Sequence, residues 1–198
     1  MGPAKILRLL VYALALALMI GPQALGVRFH WAIGRRIPVV FHRIGLWALG
    51  VRVTQIGHPP KETPTLVLAN HVSWLDILVL GSLRPLSFVA KSEIAGWPLF
   101  GTLARLQRSI FIERERKAAT SEVNATIARR LARGELIVLF AEGTTGDGQR
   151  LLPFRTSLVG AARLALADHS LDENVLQPHA LVYTRRHGLP RTRRERPE

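Results

Sequence analysis

The chain has 198 residues, which is enough for one domain with a sizeable hydrophobic core. Its 27 lysines and arginines outnumber 14 aspartates and glutamates, and the formal net charge of +13 favours polyanionic partners such as phosphate-bearing lipid headgroups, nucleic acid or acidic cofactors. The absence of cysteine excludes disulfides, thiolate metal sites and a thiol nucleophile.

The N-terminus carries an uncharged stretch, Leu9 to Val27, which Lys5 and Arg8 precede. Its purely apolar part ends at Ile20, so as a helix it would reach roughly 18 Å, less than a bilayer core of roughly 30 Å. Three interpretations stay open: a cleaved signal peptide, a membrane span that continues through Pro22, and a helix that enters one leaflet. The third fits the length best.

The next segment carries five basic residues at or near heptad spacing, which are Arg28, Arg35, Arg36, His42 and Arg43. In a helix they would share one arc of about 120°, and Pro38 would kink that helix. Such a face is typical of a solvated amphipathic helix or of a helix on an anionic membrane, and the neighbouring apolar stretch favours the membrane. We therefore predict a membrane-associated helical segment over residues 1–56, at the cytoplasmic face of the inner or plasma membrane.

Beyond Gly57, short apolar runs alternate with helical patterns. The predicted strands are Thr65–Ala69, Ser87–Ala90, Ser109–Ile112, Glu135–Phe140 and Leu176–Tyr183. The predicted helices are Trp74–Leu80, Trp97–Leu106, Ala118–Arg133 and Thr156–Ala167. This alternation predicts an α/β domain with a largely parallel sheet over residues 57–190, followed by a basic tail over residues 191–198.

A polar cluster, Asn70 to Asp76, directly follows the first predicted strand. On a continuous helix His71 and Asp76 would point apart, but with His71 in the turn and Asp76 at the helix start the carboxylate can reach the imidazole. Such a pair can deprotonate a hydroxyl. A surface histidine beside an aspartate at a helix start is the commoner explanation of this spacing alone.

Two further polar clusters lie directly after predicted strands. Arg114 can bind a phosphate bidentately or simply begin a solvated helix. Glu142 to Gly148 is rich in glycine, so its backbone amides can face an anion, and Glu142 can hold an arginine such as Arg114. A plain glycine-rich turn is the alternative. The segment lacks the ending of a P-loop, and the chain shows no metal-ligand spacing.

In chain order these segments resemble the four sequence blocks of the glycerolipid acyltransferases of the 1-acylglycerol-3-phosphate type. The blocks are Asn70-His71-x4-Asp76, Phe111-Ile112-x-Arg114, Phe140-x-Glu142-Gly143-Thr144 and the segment around Pro178. Lys91, Trp97 to Gly101 and Pro153 to Arg155 also match positions where that family has similar residues. The resemblance covers Leu66 to Tyr183.

The resemblance implies an enzyme that moves a fatty acyl group from acyl-CoA or acyl carrier protein to the free hydroxyl of a lysophospholipid, producing phosphatidic acid. His71 would be the general base and Asp76 would orient it. The acceptor headgroup would contact a set of residues from the second and third blocks, namely Arg114, Glu142, Gly143 and Thr144. No bound cofactor and no metal are implied.

The third block departs from the usual pattern, because Thr145 stands where the family has an arginine and Ala141 where it has a proline. Arg150 or Arg155 would then supply additional anion contacts. The stretch from Glu142 to Gly148, together with the stretch from Tyr183 to Pro190, resembles the lyso-ornithine lipid acyltransferase branch, whose acceptor is built on an amino acid.

A non-enzymatic alternative is a basic protein that binds membranes or nucleic acid. Arginines crowd the C-terminus at positions 185, 186, 191, 193, 194 and 196. No recognition-helix or RNA-binding signature accompanies them, so nucleic acid is not an expected partner. A secreted protein cleaved near Gly26 is a third alternative, although export would separate the site from cytosolic thioesters.

Overall fold

The structure, a computed structural model, describes residues 2–57, 64–113, 117–148, 150, 152–154, 176–186 and 189–190. Its centre is a five-stranded sheet of β1 (Thr65–Ala69), β2 (Ser87–Lys91), β3 (Ile110–Ile112), β4 (Leu136–Phe140) and β5 (Leu176–His179). The strand order is β3-β2-β4-β1-β5, and every neighbouring pair is parallel. The predicted α/β class with a parallel sheet is confirmed. A short antiparallel pair, β6 (Arg185–Arg186) and β7 (Leu189–Pro190), follows it.

The helices are α1 (Pro3–Arg28), α2 (Ile33–Leu49), α3 (Leu75–Leu83), α4 (Phe100–Leu106) and α5 (Lys117–Ala132), and a 3-10 helix (Ser92–Gly96) precedes α4. All five residues of β1 and of β4 are buried, as expected for central strands of a parallel sheet that is covered on both faces. One core packs α5 residues such as Ile127 and Leu131 against the sheet, and the other packs Leu80 of α3 against the opposite face.

Most predicted boundaries agree with the structure to within a few residues. The strand predicted to end at Tyr183 ends at His179, and Pro178 lies on an edge strand, where a missing backbone donor is tolerated. Helix α4 starts three residues later than predicted because the 3-10 helix and Leu99 occupy the connection. The predicted helix over Thr156–Ala167 and the predicted tail lie outside the described residues.

Helix α1 is longer than the apolar stretch suggested. It has 26 residues and continues through Gly21 and Pro22. At 1.5 Å per residue it is about 39 Å long, so its length allows a membrane span as well as a helix confined to one leaflet. Among the described residues, α1 is the one helix whose length and composition would allow a membrane span.

Helices α1 and α2 form a tightly packed pair. A Cβ atom at Gly34 would lie 2.8 Å from the carbonyl carbon of Gly26, so the two backbones touch where only glycines fit. Near the other end of the pair, Tyr12 of α1 stacks on Phe41 of α2 with ring centroids 4.9 Å apart. Buried Gln23 of α1 donates to the carbonyl oxygen of Leu106 at 2.7 Å and thereby joins the pair to α4.

His42 does not belong to the exposed basic face that its spacing predicted. It is buried, and its Nε2 atom lies 2.8 Å from Oε1 of Gln107. Its ring fits against Gly81, where an added Cβ would lie 2.3 Å from the imidazole. The arginines Arg28, Arg35, Arg36 and Arg43 remain exposed. The prediction failed because α2 packs on α3 through the face that carries His42.

Candidate active site

The turn between β1 and α3 brings His71 and Asp76 together. β1 ends at Ala69, α3 begins at Leu75, and Asp76 lies in the first helical turn. Because His71 precedes the helix, its Nδ1 atom approaches Oδ2 of Asp76 to 2.8 Å. The predicted geometry of this pair, with the histidine in the turn and the carboxylate reaching back, is confirmed.

Asp76 is fully buried and surrounded by donors. The backbone amides of Val72 and Ser73 donate to Oδ2 at 2.7 and 2.9 Å, and the hydroxyl of Tyr183 donates to Oδ1. Burial raises the pKa of the Asp76 carboxyl, but hydrogen bonds from His71, Ser73, Tyr183 and Val72 outweigh burial and hold the pKa below its usual value. Asp76 is therefore charged at neutral pH.

The charge on Asp76 fixes the proton on the histidine ring. An ionised carboxylate only accepts hydrogen bonds, so the facing Nδ1 atom of His71 carries a hydrogen, and in the neutral imidazole the lone pair is then on Nε2. Tyr183 supports the same arrangement, since burial and then its contact with Asp76 raise the pKa of the phenol, which stays a donor. A neutral imidazole held in this way can accept a proton at Nε2.

Neighbouring strands complete the surroundings of His71. Its ring stacks on Phe140 with centroids 4.0 Å apart and planes 19° apart. Asn70 and Leu181 exchange two hydrogen bonds of 2.7 and 3.0 Å, which tie the residue before His71 to the segment after β5. These contacts arise because Ala69, at the end of β1, is in register with Phe140 of β4 and with His179 of β5.

Sequence reasoning placed Phe140 and Tyr183 in matching blocks without giving either a contact with the His71–Asp76 pair. Carboxyl ends of adjacent parallel strands meet at one edge, so a polar aromatic residue at the end of the last predicted strand was the available signal for Tyr183. The strand order that makes β5 the neighbour of β1 was the missing information.

Glu142 connects the glycine-rich loop to the histidine. It is buried, its Oε2 atom accepts the backbone N–H of His71 at 3.0 Å, and Oε1 accepts that of Leu152 at 3.0 Å. The amide of Gly146 donates to the carbonyl oxygen of His71 at 2.7 Å. The loop thus holds the His71 backbone from both sides. The predicted contact of Glu142 with Arg114 lies outside the described residues.

Three other predicted acceptor residues, Gly143, Thr144 and Arg150, lie in or just after this loop. Gly143 follows Glu142 with a φ of 72°, a conformation that favours glycine. Thr144, Thr145 and Arg150 are exposed. Arg114 and Arg155 lie outside the described residues. The structure brings together His71, Asp76 and Glu142 of the third block. Within the described part of the chain, no three His, Asp or Glu side chains cluster as metal ligands would.

Cavities lined by described residues lie beside the sheet. A cavity of about 610 Å³ lies at the amino ends of β2 and β4, at the edge opposite His71, with Arg35, Arg108 and Glu135 in its lining. A cavity of about 430 Å³ lies on the α3 face, with mostly apolar lining that includes Val79 and Leu181. In proteins with a parallel sheet, ligands bind at the carboxyl ends of the strands. The smaller cavity extends to Leu181, which is hydrogen-bonded to Asn70 beside His71, so it is the better placed of the two to hold a substrate.

Residues 50–182 match the family model described as Acyltransferase. The lyso-ornithine lipid O-acyltransferase of Brucella abortus (strain 2308) is 43% identical over 197 residues, which are 99% of this chain and 74% of the relative. The enzyme of the same name from Rhizobium meliloti (strain 1021) is 50% identical over 82% of this chain and 56% of its own length.

A 1-acyl-sn-glycerol-3-phosphate acyltransferase of Neisseria meningitidis is 38% identical over 60% of this chain and 50% of its own length. Against the Rhizobium and Neisseria proteins the chain therefore spans about half of the relative. The crystal structure of the 1-acyl-sn-glycerophosphate acyltransferase PlsC from Thermotoga maritima shares the fold, with a TM-score of 0.60 at 22% identity over 81% of this chain and 70% of that one. The chain belongs to the acyltransferase family.

Proposed function

We propose that the chain transfers a fatty acyl group from a thioester donor to the free hydroxyl of a lysolipid, and that the acceptor is lyso-ornithine lipid. The observation that carries the chemistry is the contact of 2.8 Å between Nδ1 of His71 and the buried carboxylate of Asp76. It supports general-base activation of a hydroxyl, which is the step this transfer requires.

In this proposal Nε2 of His71 removes the proton from the acceptor hydroxyl as its oxygen attacks the thioester carbonyl. A new ester bond forms, the carbon–sulfur bond breaks, and the proton passes from the imidazolium to the departing thiolate. Asp76 is the positioning residue, since its negative charge stabilises the imidazolium formed during attack. Glu142 positions His71 from the other side through its backbone. The acyl group passes directly to the acceptor without an acyl-enzyme.

The choice of acceptor rests on two observations. The two relatives that cover most of this chain carry the name lyso-ornithine lipid O-acyltransferase. Thr145 occupies the position where the glycerophosphate enzymes have an arginine, and a threonine at this exposed site offers no charge to a phosphate. An amino-acid-based headgroup has no phosphate to neutralise, so the substitution suits this acceptor.

Lysophosphatidic acid is the second candidate acceptor, because the Neisseria relative is named for that substrate class and is 38% identical. In that case Arg114, Arg150 and Arg155 would provide the phosphate contacts that Thr145 lacks, beside Gly143 and Thr144. Arg150 is exposed and available at the end of the glycine-rich loop.

The donor is an acyl thioester of coenzyme A or acyl carrier protein, both of which are acidic and would be attracted by the net charge of +13. Its acyl chain would enter the apolar cavity of about 430 Å³ beside Val79 and Leu181. Since such donors are cytosolic and lysolipids reside in bilayers, the enzyme would work at the cytoplasmic membrane surface, with α1 as its anchor.

The test is acyl transfer by membranes that contain the full chain. Labelled acyl-CoA or acyl carrier protein is supplied, and lyso-ornithine lipid and lysophosphatidic acid are offered separately, with Thr145→Arg as the matched variant. The proposal expects transfer to lyso-ornithine lipid, and expects Thr145→Arg to shift the preference toward lysophosphatidic acid. Transfer by the parent chain to lysophosphatidic acid alone would overturn the acceptor assignment, and transfer to neither with both donors would overturn the function.

A further inference from the structure

Four consecutive apolar residues are exposed where the 3-10 helix leads into the first residue of α4. They are Trp97, Pro98, Leu99 and Phe100, and the exposed fractions of Trp97, Leu99 and Phe100 are 56%, 47% and 62%. We call them the apolar loop. Proteins avoid exposed apolar runs of this length unless the run serves an interaction. The reason is that exposing an apolar side chain to water costs free energy.

The apolar loop is held in a defined conformation. Leu99 has a φ of 61°, a conformation that is costly for a residue with a branched apolar side chain. Behind it, a Cβ atom at Gly101 would lie 2.4 Å from the carbonyl oxygen of Ala95, and Arg105 donates to the same oxygen at 2.6 Å. The local fold thus holds the apolar side chains outward at the expense of backbone strain.

The loop lies at the catalytic edge of the sheet. It follows β2, whose carboxyl end shares an edge with that of β1, where His71 begins the turn. Trp74, three residues after His71, is also exposed, at 64%. Two exposed tryptophans on the edge that carries the reaction are typical of a protein at a membrane interface, where the indole ring is partly buried and partly hydrated.

The loop is also connected to the candidate membrane helix. Helix α4 begins at Phe100 and ends at Leu106, whose carbonyl oxygen accepts the hydrogen bond from Gln23 of α1. Its seven residues span about 10 Å, so one short helix connects the loop to this contact with α1. Lys91 and Arg105 flank the loop and are exposed, as cations beside anionic headgroups would be.

We propose that the apolar loop, with Trp74, inserts into the headgroup region of an anionic phospholipid bilayer and brings the catalytic edge onto the leaflet that supplies the acceptor. The role of the site in lipid acylation rests on the proposed function, whereas the insertion itself does not. Helix α1 would anchor the chain, and the loop would set the orientation of the domain on the surface.

The absence of cysteine allows a direct test, because a single introduced cysteine carries an environment-sensitive dye without side reactions. Trp97→Cys and Phe100→Cys are labelled in the full chain and reconstituted in vesicles of phosphatidylcholine and phosphatidylglycerol. Ser121→Cys, exposed on α5, is the matched control. We expect blue-shifted emission at positions 97 and 100 that nitroxide-labelled lipid quenches, and neither effect at position 121.

The proposal fails if aqueous iodide quenches the dyes at positions 97 and 100 as readily as the dye at position 121. Protection that requires added acyl carrier protein would also overturn it, in favour of a protein-docking surface. As a second readout, the double variant Trp97→Ser, Phe100→Ser should lower the ratio of acyl transfer in vesicles to that in detergent micelles about tenfold or more. If the parent chain transfers no acyl group, the proposed function fails, and the dye measurements still decide the insertion.

Discussion

Tyr183 and Asp76 are joined by a hydrogen bond from the phenolic hydroxyl to Oδ1, although 107 positions separate them in the chain. The other oxygen of the same carboxylate faces His71. The site is therefore assembled from the turn after β1 and the segment after β5, and the parallel register of these strands sets its geometry.

Removal of that hydroxyl by Tyr183→Phe should lower kcat/KM for acyl transfer by about tenfold, since hydrogen bonds to charged groups contribute about 1.5–3 kcal/mol. The loss follows because the carboxylate that orients His71 loses a donor. Steady-state rates in membranes measure it. Tyr12→Phe is the matched control, since the two are the only tyrosines in the chain and Tyr12 lies in α1. Equal losses in both variants would contradict the specific role of Tyr183.

The Asp76 carboxylate should make stability depend on pH. Its folded pKa is lowered, so its contribution is present above the unfolded value of about 3.9 and is lost as pH falls through the folded pKa. Asp76→Asn removes this dependence. The difference in free energy of unfolding between parent and variant should therefore shrink as pH falls below about 4. Denaturant unfolding in detergent over that range measures it, and a difference that grows in acid would reject the assignment.

The contact between Gly26 and Gly34 should limit substitution in the helical pair. Gly34→Ala places a Cβ atom 2.8 Å from the backbone of Gly26, so we expect a loss of about 1–3 kcal/mol in the free energy of unfolding. Gly21→Ala, in the same pair but with no atom within 4 Å of the added Cβ, should be neutral or stabilising by about 0.5–1 kcal/mol. Thermal unfolding of both variants gives the comparison, and equal effects would argue against close backbone packing.

Narrowing of the apolar cavity should change the preferred acyl chain. Val79→Phe extends a larger side chain from the cavity lining, so transfer from long-chain donors should fall relative to short-chain donors. Ile77→Phe is the control, because Ile77 lies on the same helix, is 36% exposed and is absent from the lining. Competition between donors of different length measures the preference. An unchanged preference in Val79→Phe would place the acyl chain elsewhere.

Strong local signals made much of the fold predictable from sequence. β1 and β4 are short uninterrupted apolar runs, and Val123, Ile127 and Leu131 form the buried stripe of α5. The His71–Asp76 pair was predictable too, because it depends only on where one strand ends and the next helix begins.

Features that depend on tertiary packing could not be predicted from local sequence patterns. Pro22 interrupts an apolar run in sequence, yet α1 continues through it and packs along α2, where Gly26 and Gly34 touch. His42 fitted an exposed face by spacing and became buried because Gly81 leaves room for its ring. Tyr183 became part of the site only through the strand order.

Acyl transfer to lyso-ornithine lipid by the parent chain and by His71→Ala, in membranes prepared in parallel, measures how far the reaction depends on His71. The variant should lose about 10²- to 10⁴-fold in rate, the range typical of a general base, while it stays folded and bound to membranes. If the variant is folded, membrane-bound and nearly as active as the parent chain, His71 is not the general base.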